Sequence, residues 1–566
     1  MKKSCCSEHC NNARHSCHKL CRQRNEQMGE EDHMMKACKY IAAGRVLQTL
    51  SVFVVGLCSL LIMLAGPAWA QTKATTESLQ SQIEALQQQI DALKKTTQSQ
   101  NTPAAASAPS QTASSPGGGK LLFTNTDVKI TLGGFIEATG IYRDRFMGSD
   151  VNSKWNLGSG GFPLQNSPNY YMNETRGTAR QSRLSLLAQG QEDYASFAAY
   201  YEMDFLGGGS GTSGNSVESN SYNPRIRHLY ATYDSKGGWH LLAGQAWSLI
   251  TMNKKGIVPR QEVTPLVIEA QYVPGFTWTR NPQVRLVKDF GSMVSVGLSV
   301  EAPQAIITGG GLPSGSSANY TFRLFNPANF ADVTSTTNNS NMPGSLSLDQ
   351  YPDIVGKVAV DPGFGHWEAY GLGRFFTDRT LVNGSRSNET TFGWGAGGAV
   401  LLPVIPKYLD FQGSFLAGKG IGRYGSAGFS DAVVNPITGK LDPITEVAAL
   451  VGLVAHPNDR LDIYGYAGME QVAGKGVFNA GAFSAGFGNP AYAPQSLIQE
   501  GSTASSALVQ ANTAEQATVG FWYSFYKGKH GLMRLGLSDS YTRLRTFNLP
   551  SENINIVMMS LRYYPF

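Results

Sequence analysis

From Lys120 to the end of the chain, apolar and polar residues alternate with period two, the spacing of extended strands whose successive side chains point to opposite faces. In Val128-Lys129-Ile130-Thr131-Leu132 the apolar residues fall on one side, and Glu137, Thr139 and Arg143 continue the polar one. Further along, Phe197, Ala199, Tyr201, Met203 and Phe205 face one way while Ser196, Tyr200, Glu202 and Asp204 face the other. The same rhythm predicts strands that include 225–234, 239–247, 294–301, 354–361, 367–376, 391–402, 408–417, 446–456, 461–471, 518–526, 532–541 and 554–564. Short links such as 403–407, 457–460 and 527–531 contrast with long Gly/Ser/Asn-rich connections at 207–223 and 309–350. A soluble β-sandwich also alternates. Short turns at one end, long loops at the other and aromatics near strand ends point instead to a transmembrane β-barrel. At about 28 residues per strand with its loop, the 447 residues of 120–566 predict about sixteen antiparallel strands, an even number as bacterial single-chain barrels need.

Before Lys120 the period changes. Leu79, Leu86 and Leu93 repeat at d positions and Ile83 and Ile90 at a positions, so 71–100 is expected to form a short coiled-coil helix. Isoleucine at a with leucine at d favours two strands, so the heptads alone leave dimer and trimer open. An Ala/Ser/Pro/Gly linker, 101–119, sets the helix apart from the barrel, 120–566. Lys36, Lys39 and Arg45, the apolar run Val52 to Leu64, and Ala68-Trp69-Ala70 read as a secretory signal cut before Gln71. Residues 1–70 are then an N-terminal extension plus signal, with Met34 or Met35 as the expected start. The uncharged run 46–65 could span a bilayer if uncleaved, which is the alternative. No other segment reaches that length, so further membrane residence must use strands.

Composition agrees with a large sheet: 63 Gly, 24 Tyr and 26 Phe stand against 15% charged residues. All seven cysteines, Cys5 to Cys58, precede Ala70, so the exported part carries no thiol, as suits an oxidising compartment. The Cys/His cluster around Cys5 and Cys21 lacks two separated ligand pairs, and no metal is expected. Of the formal charge of +5, all but one unit sits in the first 70 residues; the remainder holds 37 Lys/Arg against 36 Asp/Glu, which excludes a nucleic-acid reading. Gly393-Trp394-Gly395-Ala396-Gly397-Gly398 fits the dinucleotide pattern, but no helix follows before Pro403, so these glycines serve barrel curvature. After Ala70 the histidines are His228, His240, His366, His456 and His530, and none accompanies a nucleophile motif. The expectation is a non-enzyme without cofactor.

The chain resembles the DcaP-like outer-membrane porins. The likeness rests on the helix-plus-linker prefix and on Arg180-Gln181-Ser182-Arg183-Leu184, Arg227-His228-Leu229-Tyr230-Ala231, Ala243-Gly244-Gln245-Ala246-Trp247, Gly420-Ile421-Gly422-Arg423-Tyr424 and the closing Leu561-Arg562-Tyr563-Tyr564-Pro565-Phe566. It spans nearly all of the exported part. The resemblance implies a sixteen-stranded porin, a homotrimer in outer-membrane lipid with its coiled coil in the periplasm, and uptake of small organic anions such as dicarboxylates. Phe566 would be the barrel-assembly signal, although Pro565 blurs the alternation of the last strand.

An anion-selecting channel needs fixed cations in a narrow lumen, where low-dielectric walls focus the field, and arginine holds carboxylates through its planar fork. The pore-lining candidates are Arg180, Arg183, Arg225, Arg227, Arg280, Arg285 and Arg374. Any one of them could instead brace the wall against Glu202, Asp204 or Glu368. The segment Ile250 to Tyr272, with Lys254, Lys255, Arg260 and Glu262, is expected to fold inward as a constriction, the alternative being a loop exposed outside. The rival functions are a structural anchor tethering the envelope through contact of the coiled coil with the cell wall and, more remotely, an outer-membrane enzyme.

Overall fold

The computed structural model describes residues 120–565, apart from 125–126, 148–150, 152–161, 165–167, 208–221, 269–272, 309–319, 325–346, 383–384, 435–439, 475, 481–482, 489–510 and 549. The expected signal, the coiled-coil seam (Leu79, Ile83, Leu86, Ile90, Leu93), the linker and Phe566 lie outside the described residues.

Sixteen antiparallel strands form the wall: β1 (Val128–Arg143), β2 (Arg183–Gln191), β3 (Ala195–Gly207), β4 (Asn223–Ser235), β5 (Trp239–Trp247), β6 (Arg280–Phe290), β7 (Val294–Glu301), β8 (Asp353–Val360), β9 (His366–Val382), β10 (Ser385–Ile405), β11 (Leu409–Lys419), β12 (Thr445–Asn458), β13 (Leu461–Val472), β14 (Ala511–Gly528), β15 (Gly531–Thr546) and β16 (Glu552–Tyr564). Each pairs with the next. β16 returns to β1 from Ile136↔Tyr563 to Arg143↔Ile556, so the sheet closes and leaves no long unpaired edge. Beyond the end of β16 the short strand Lys120–Thr124 takes over the same edge of β1.

Alternation decides what each face meets. Along β16, Glu552, Ile554, Ile556, Met558 and Ser560 are buried inside while Val557, Met559 and Leu561 face out. Leu184, Leu186, Val284, Leu286, Leu298, Val300 and Ile354 continue that outward apolar band around the tube. Exposed aromatics edge it at both rims: Tyr194, Trp239, Phe290, Phe364 and Tyr408 at one, Tyr142, Tyr351, Phe392 and Tyr541 at the other. An apolar belt between two aromatic girdles is the surface a bilayer solvates.

One rim carries tight links (192–194, 236–238, 291–293, 361–365, 406–408, 459–460, 529–530) and is called the turn end; the other carries the long loops. Preceding β2, Glu174–Thr178 also pairs with β1, and the break at 179–182 shifts its register by one residue. That break buries both Arg180 and Gln181. Gly134 sits at φ 125 opposite it, where a Cβ would run into the Arg183 carbonyl, so only glycine lets β1 and β2 approach here.

β2 and β6 are not among the strands expected above. β6 opens Arg280-Asn281-Pro282, and Pro282 interrupts the pattern, yet it faces outward and pairs with Gln245 of β5. In β2, half-buried Leu187 on the lumen side breaks the polar register.

Candidate functional site

The lumen is occupied by loop 248–279, which connects β5 to β6 and turns inward. Its descending limb packs Leu249, Ile250, Met252 and Ile257 against Val287, Val355, Tyr370, Leu372 and Leu416 on the inner wall. The Leu249 amide donates to Glu301 of β7 at 2.8 Å, the Asn253 amide to Glu368 of β9 at 2.9 Å, and the Gly256 amide to Asp361 at the turn end at 2.9 Å. The returning limb is pinned to the far wall. There the Leu266 amide donates to the Tyr466 hydroxyl at 3.0 Å, its carbonyl accepts from Trp522 Nε1 at 2.8 Å, and the Ile268 carbonyl accepts from Arg562 at 2.8 Å. Val267 and Ile268 bury their side chains among Tyr464, Tyr466, Trp522, Ile556 and Met558. Backbone groups inside a barrel must find partners on the wall, and these carboxylates, hydroxyls and rings supply them.

A second loop, 420–444, also folds inward. Its Asp431 receives Arg374 at 2.5 Å, Tyr424 donates to Asp353 at 2.8 Å, and the Ala427 amide donates to Glu470 at 3.0 Å.

The cationic groups separate by what neutralises them. Arg225 grips Asp204 with two hydrogen bonds of 2.9 and 2.7 Å, and Arg227 bridges Glu202 at 2.6 Å and Asp204 at 2.9 Å. Arg374 is spent on Asp353, Asp431 and two backbone carbonyls, those of Gly420 and Gln304. By contrast, among the described residues no carboxylate pairs with Arg183, Arg260, Arg280 or Arg285. Arg285 donates only to Gln283 and to the Trp247 carbonyl. Arg183 Nε, Arg260 Nε and Nη1, and Arg280 Nη1 are buried and make no hydrogen bond. Aromatic faces orient them: Arg280 lies 4.8 Å from the Trp247 ring centre, Arg183 5.3 Å from Phe135, and Arg260, which also hydrogen-bonds Tyr230, reaches across from the loop to Tyr200 at 5.7 Å. Such stacking orients a cation without cancelling its charge.

The stacking continues across the seam. Arg562 lies over Phe135 at 4.7 Å and over Trp522 at 4.5 Å, and Arg534 over Trp522 at 5.3 Å, so cations and rings alternate from β2 to β15. Arg562 is also paired with Glu137 and Arg534 with Asp462.

Of the expected pore-lining residues, the structure brings Arg183, Arg225, Arg227 and Arg280 together around Glu202 and Asp204. Arg285 lies beside Glu262 and Tyr230. Arg180 is buried over Tyr222 at 4.8 Å, and Arg374 belongs to the separate brace under loop 420–444. On loop 248–279, Lys254 and Lys255 are exposed, Arg260 is half-buried and Glu262 is buried. Burial holds the Glu262 carboxyl above its ordinary range, an effect that Arg285, Arg260 and Lys357 partly offset. The sequence reading missed Lys357, Arg534 and Arg562 as lumenal cations. Each sits on the inward side of its strand's alternation, which was the available signal.

No family model matches the chain, and no curated protein does either. Among solved structures, the crystal structure of the outer membrane channel DcaP of Acinetobacter baumannii has 17% identity to this chain, covers 78% of it and 99% of its own length, and superposes with TM-score 0.53. The anion-selective porin from Comamonas acidovorans has 9% identity, covers 77% of this chain and 100% of its own, and gives 0.41. OmpF of Salmonella typhi has 10% identity, covers 78% and 100%, and gives 0.40. The first of these likenesses establishes the porin-type barrel fold.

Proposed function

We propose that this chain is an outer-membrane porin of the DcaP-like kind, a homotrimeric passive channel for small anionic or polar solutes such as organic dicarboxylates. It works without cofactor or covalent chemistry. The observation that carries this reading is the set of lumenal arginines that form no ion pair with a carboxylate among the described residues: Arg183, Arg280 and Arg285 on the wall and Arg260 on the loop pinned inside the barrel. Fixed cations in a narrow, low-dielectric passage admit anions and repel cations.

Reconstitution of the folded barrel in planar bilayers under a salt gradient tests it. Single-channel current with an anion-selective reversal potential is the expected result. Cation preference removes the anion claim, and a barrel that carries no current favours an envelope anchor instead.

A further inference from the structure

At the turn end, four side chains, Asp361, His366, Glu368 and Lys357, are linked in a row beside the loop's descending limb. His366 Nδ1 lies 2.8 Å from Asp361 and its Nε2 3.0 Å from Glu368. Lys357 ion pairs with Glu368 at 2.8 Å and donates to the Thr251 carbonyl at 2.8 Å and the Asn253 side chain at 3.1 Å. The same two carboxylates accept the loop's Gly256 and Asn253 amides. Lys357, His366 and Glu368 are shut away from solvent, and only Asp361, 13% exposed, reaches it.

The chemistry of imidazole makes this arrangement conditional. A neutral ring carries one N–H, so it can serve only one of two carboxylates and turns a lone pair toward the other. The charge count agrees: Asp361 and Glu368 balance Lys357 and His366 only while His366 holds its proton. On β10 the residue opposite His366 is Leu401, and the nearby cations of the loop, Lys254 and Lys255, are exposed; buried Arg285 and Glu262, of opposite charge, face Lys357, and Arg285 also acts on Glu368, so that among the described residues only His366 ion pairs with Asp361. His240, between Asp234 and Asp289, and His456, between Asp410 and Asp462, repeat the motif on other hairpins, and their ring nitrogens bond only to those carboxylates, not to the loop.

We propose that Lys357 and His366 are positioning residues of the permeation path: with Asp361 and Glu368 they clasp residues 251–256 to the turn end, and loss of the His366 proton loosens the clasp. The inference deepens the channel reading, since what it positions is the limb that leads to Arg260 and Glu262.

Hydrogen exchange on the folded barrel in detergent tests it without relying on current, so a barrel that does not conduct would end the channel reading and leave the clasp standing. As pH rises from about 5 to about 9, protection factors of the Asn253 and Gly256 amides should fall at least about tenfold, the scale of one charge-assisted hydrogen bond. The Leu266 amide, held by Tyr466, should not change. H366Q should show low protection at every pH, K357Q should loosen the same two amides, and H240Q and H456Q should behave as the wild type. Constant protection of Asn253 and Gly256 across the range in the wild-type protein, or an unchanged response in H366Q, overturns the proposal. Should the variants fail to fold, the wild-type comparison of these two amides with Leu266 decides alone.

Discussion

Arg562 ion pairs with Glu137 at 2.9 Å, directly across the pairing of β16 with β1 that closes the barrel. Glu137 is fully buried and also accepts from Ser560 at 2.5 Å and Thr139 at 3.0 Å, while Arg562 reaches on to the Ile268 carbonyl of the infolded loop. R562A therefore strands a buried carboxylate and cuts a loop pin in one step. The expected cost is about 3–5 kcal/mol, read as a lowered denaturant midpoint of the folded barrel. E137Q/R562M, which removes both charges, should recover most of it. An unchanged midpoint in R562A would show that the seam does not depend on this pair.

Selectivity should follow neutralisation rather than mere position in the lumen. R183A/R280A removes two arginines that no carboxylate pairs, and the anion-to-cation permeability ratio should drop by roughly threefold or more. R374A removes a guanidinium already committed to Asp353 and Asp431. It should leave the ratio nearly unchanged and instead lower stability by about 3 kcal/mol. Reversal potentials of the two variants under one salt gradient separate the cases.

The two far pins on Leu266 are neutral hydrogen bonds, so the loss of those bonds alone should be mild. Y466F deletes the acceptor of the Leu266 amide, and W522F deletes the donor to its carbonyl. Y466F should cost about 1 kcal/mol, and W522F more, because it also shrinks a fully buried ring stacked under Arg534 and Arg562. Together they should raise open-channel current noise, measured in single-channel records. Noise indistinguishable from wild type would mean that these pins do not restrain the loop.

Glu262 gives the passage an acid-side pH dependence. Burial, the largest influence, keeps its proton on above the usual carboxylate range. As pH rises through that raised value the carboxyl ionises beside Arg260 and Arg285, and anion preference should decline. The stability sign follows from the same shift. The folded protein binds this proton where the unfolded chain has lost it, so stability falls as pH rises from the ordinary value near 4.5 to the raised one. E262Q should flatten the slope in reversal potential and remove the Glu262 share of the slope in denaturant midpoint, leaving the share of other buried carboxyls such as Glu470.

The wall was legible because each strand meets lipid outside and polar groups inside, which period two reports directly. Trp239–Trp247 and Val294–Glu301 match their expected bounds residue for residue. The alternation failed where the sequence turns polar: β9 was expected to stop at Phe376 but runs to Val382, through the polar run Thr377-Asp378-Arg379, which breaks the period-two rhythm of apolar positions. The arginines were legible as a group, whereas their division into neutralised and unneutralised sets was not. That division depends on cross-strand neighbours such as Asp204 beside Arg225, 21 residues apart, and on Asp431 meeting Arg374 from a loop 57 residues away. Spacing in one sequence does not report such meetings.

Loop 248–279 reaches Glu301 on β7 at one end of its path and Arg562 on β16 at the other, strands on opposite sides of the sixteen-strand ring. Mechanically it is a tie-rod across a thin-walled tube. A barrel held only by its ladder can flatten into an ellipse under lateral pressure from the bilayer. One with a strut across its diameter keeps its cross-section, so the width offered to a solute is set by a tension member inside the tube rather than by the wall.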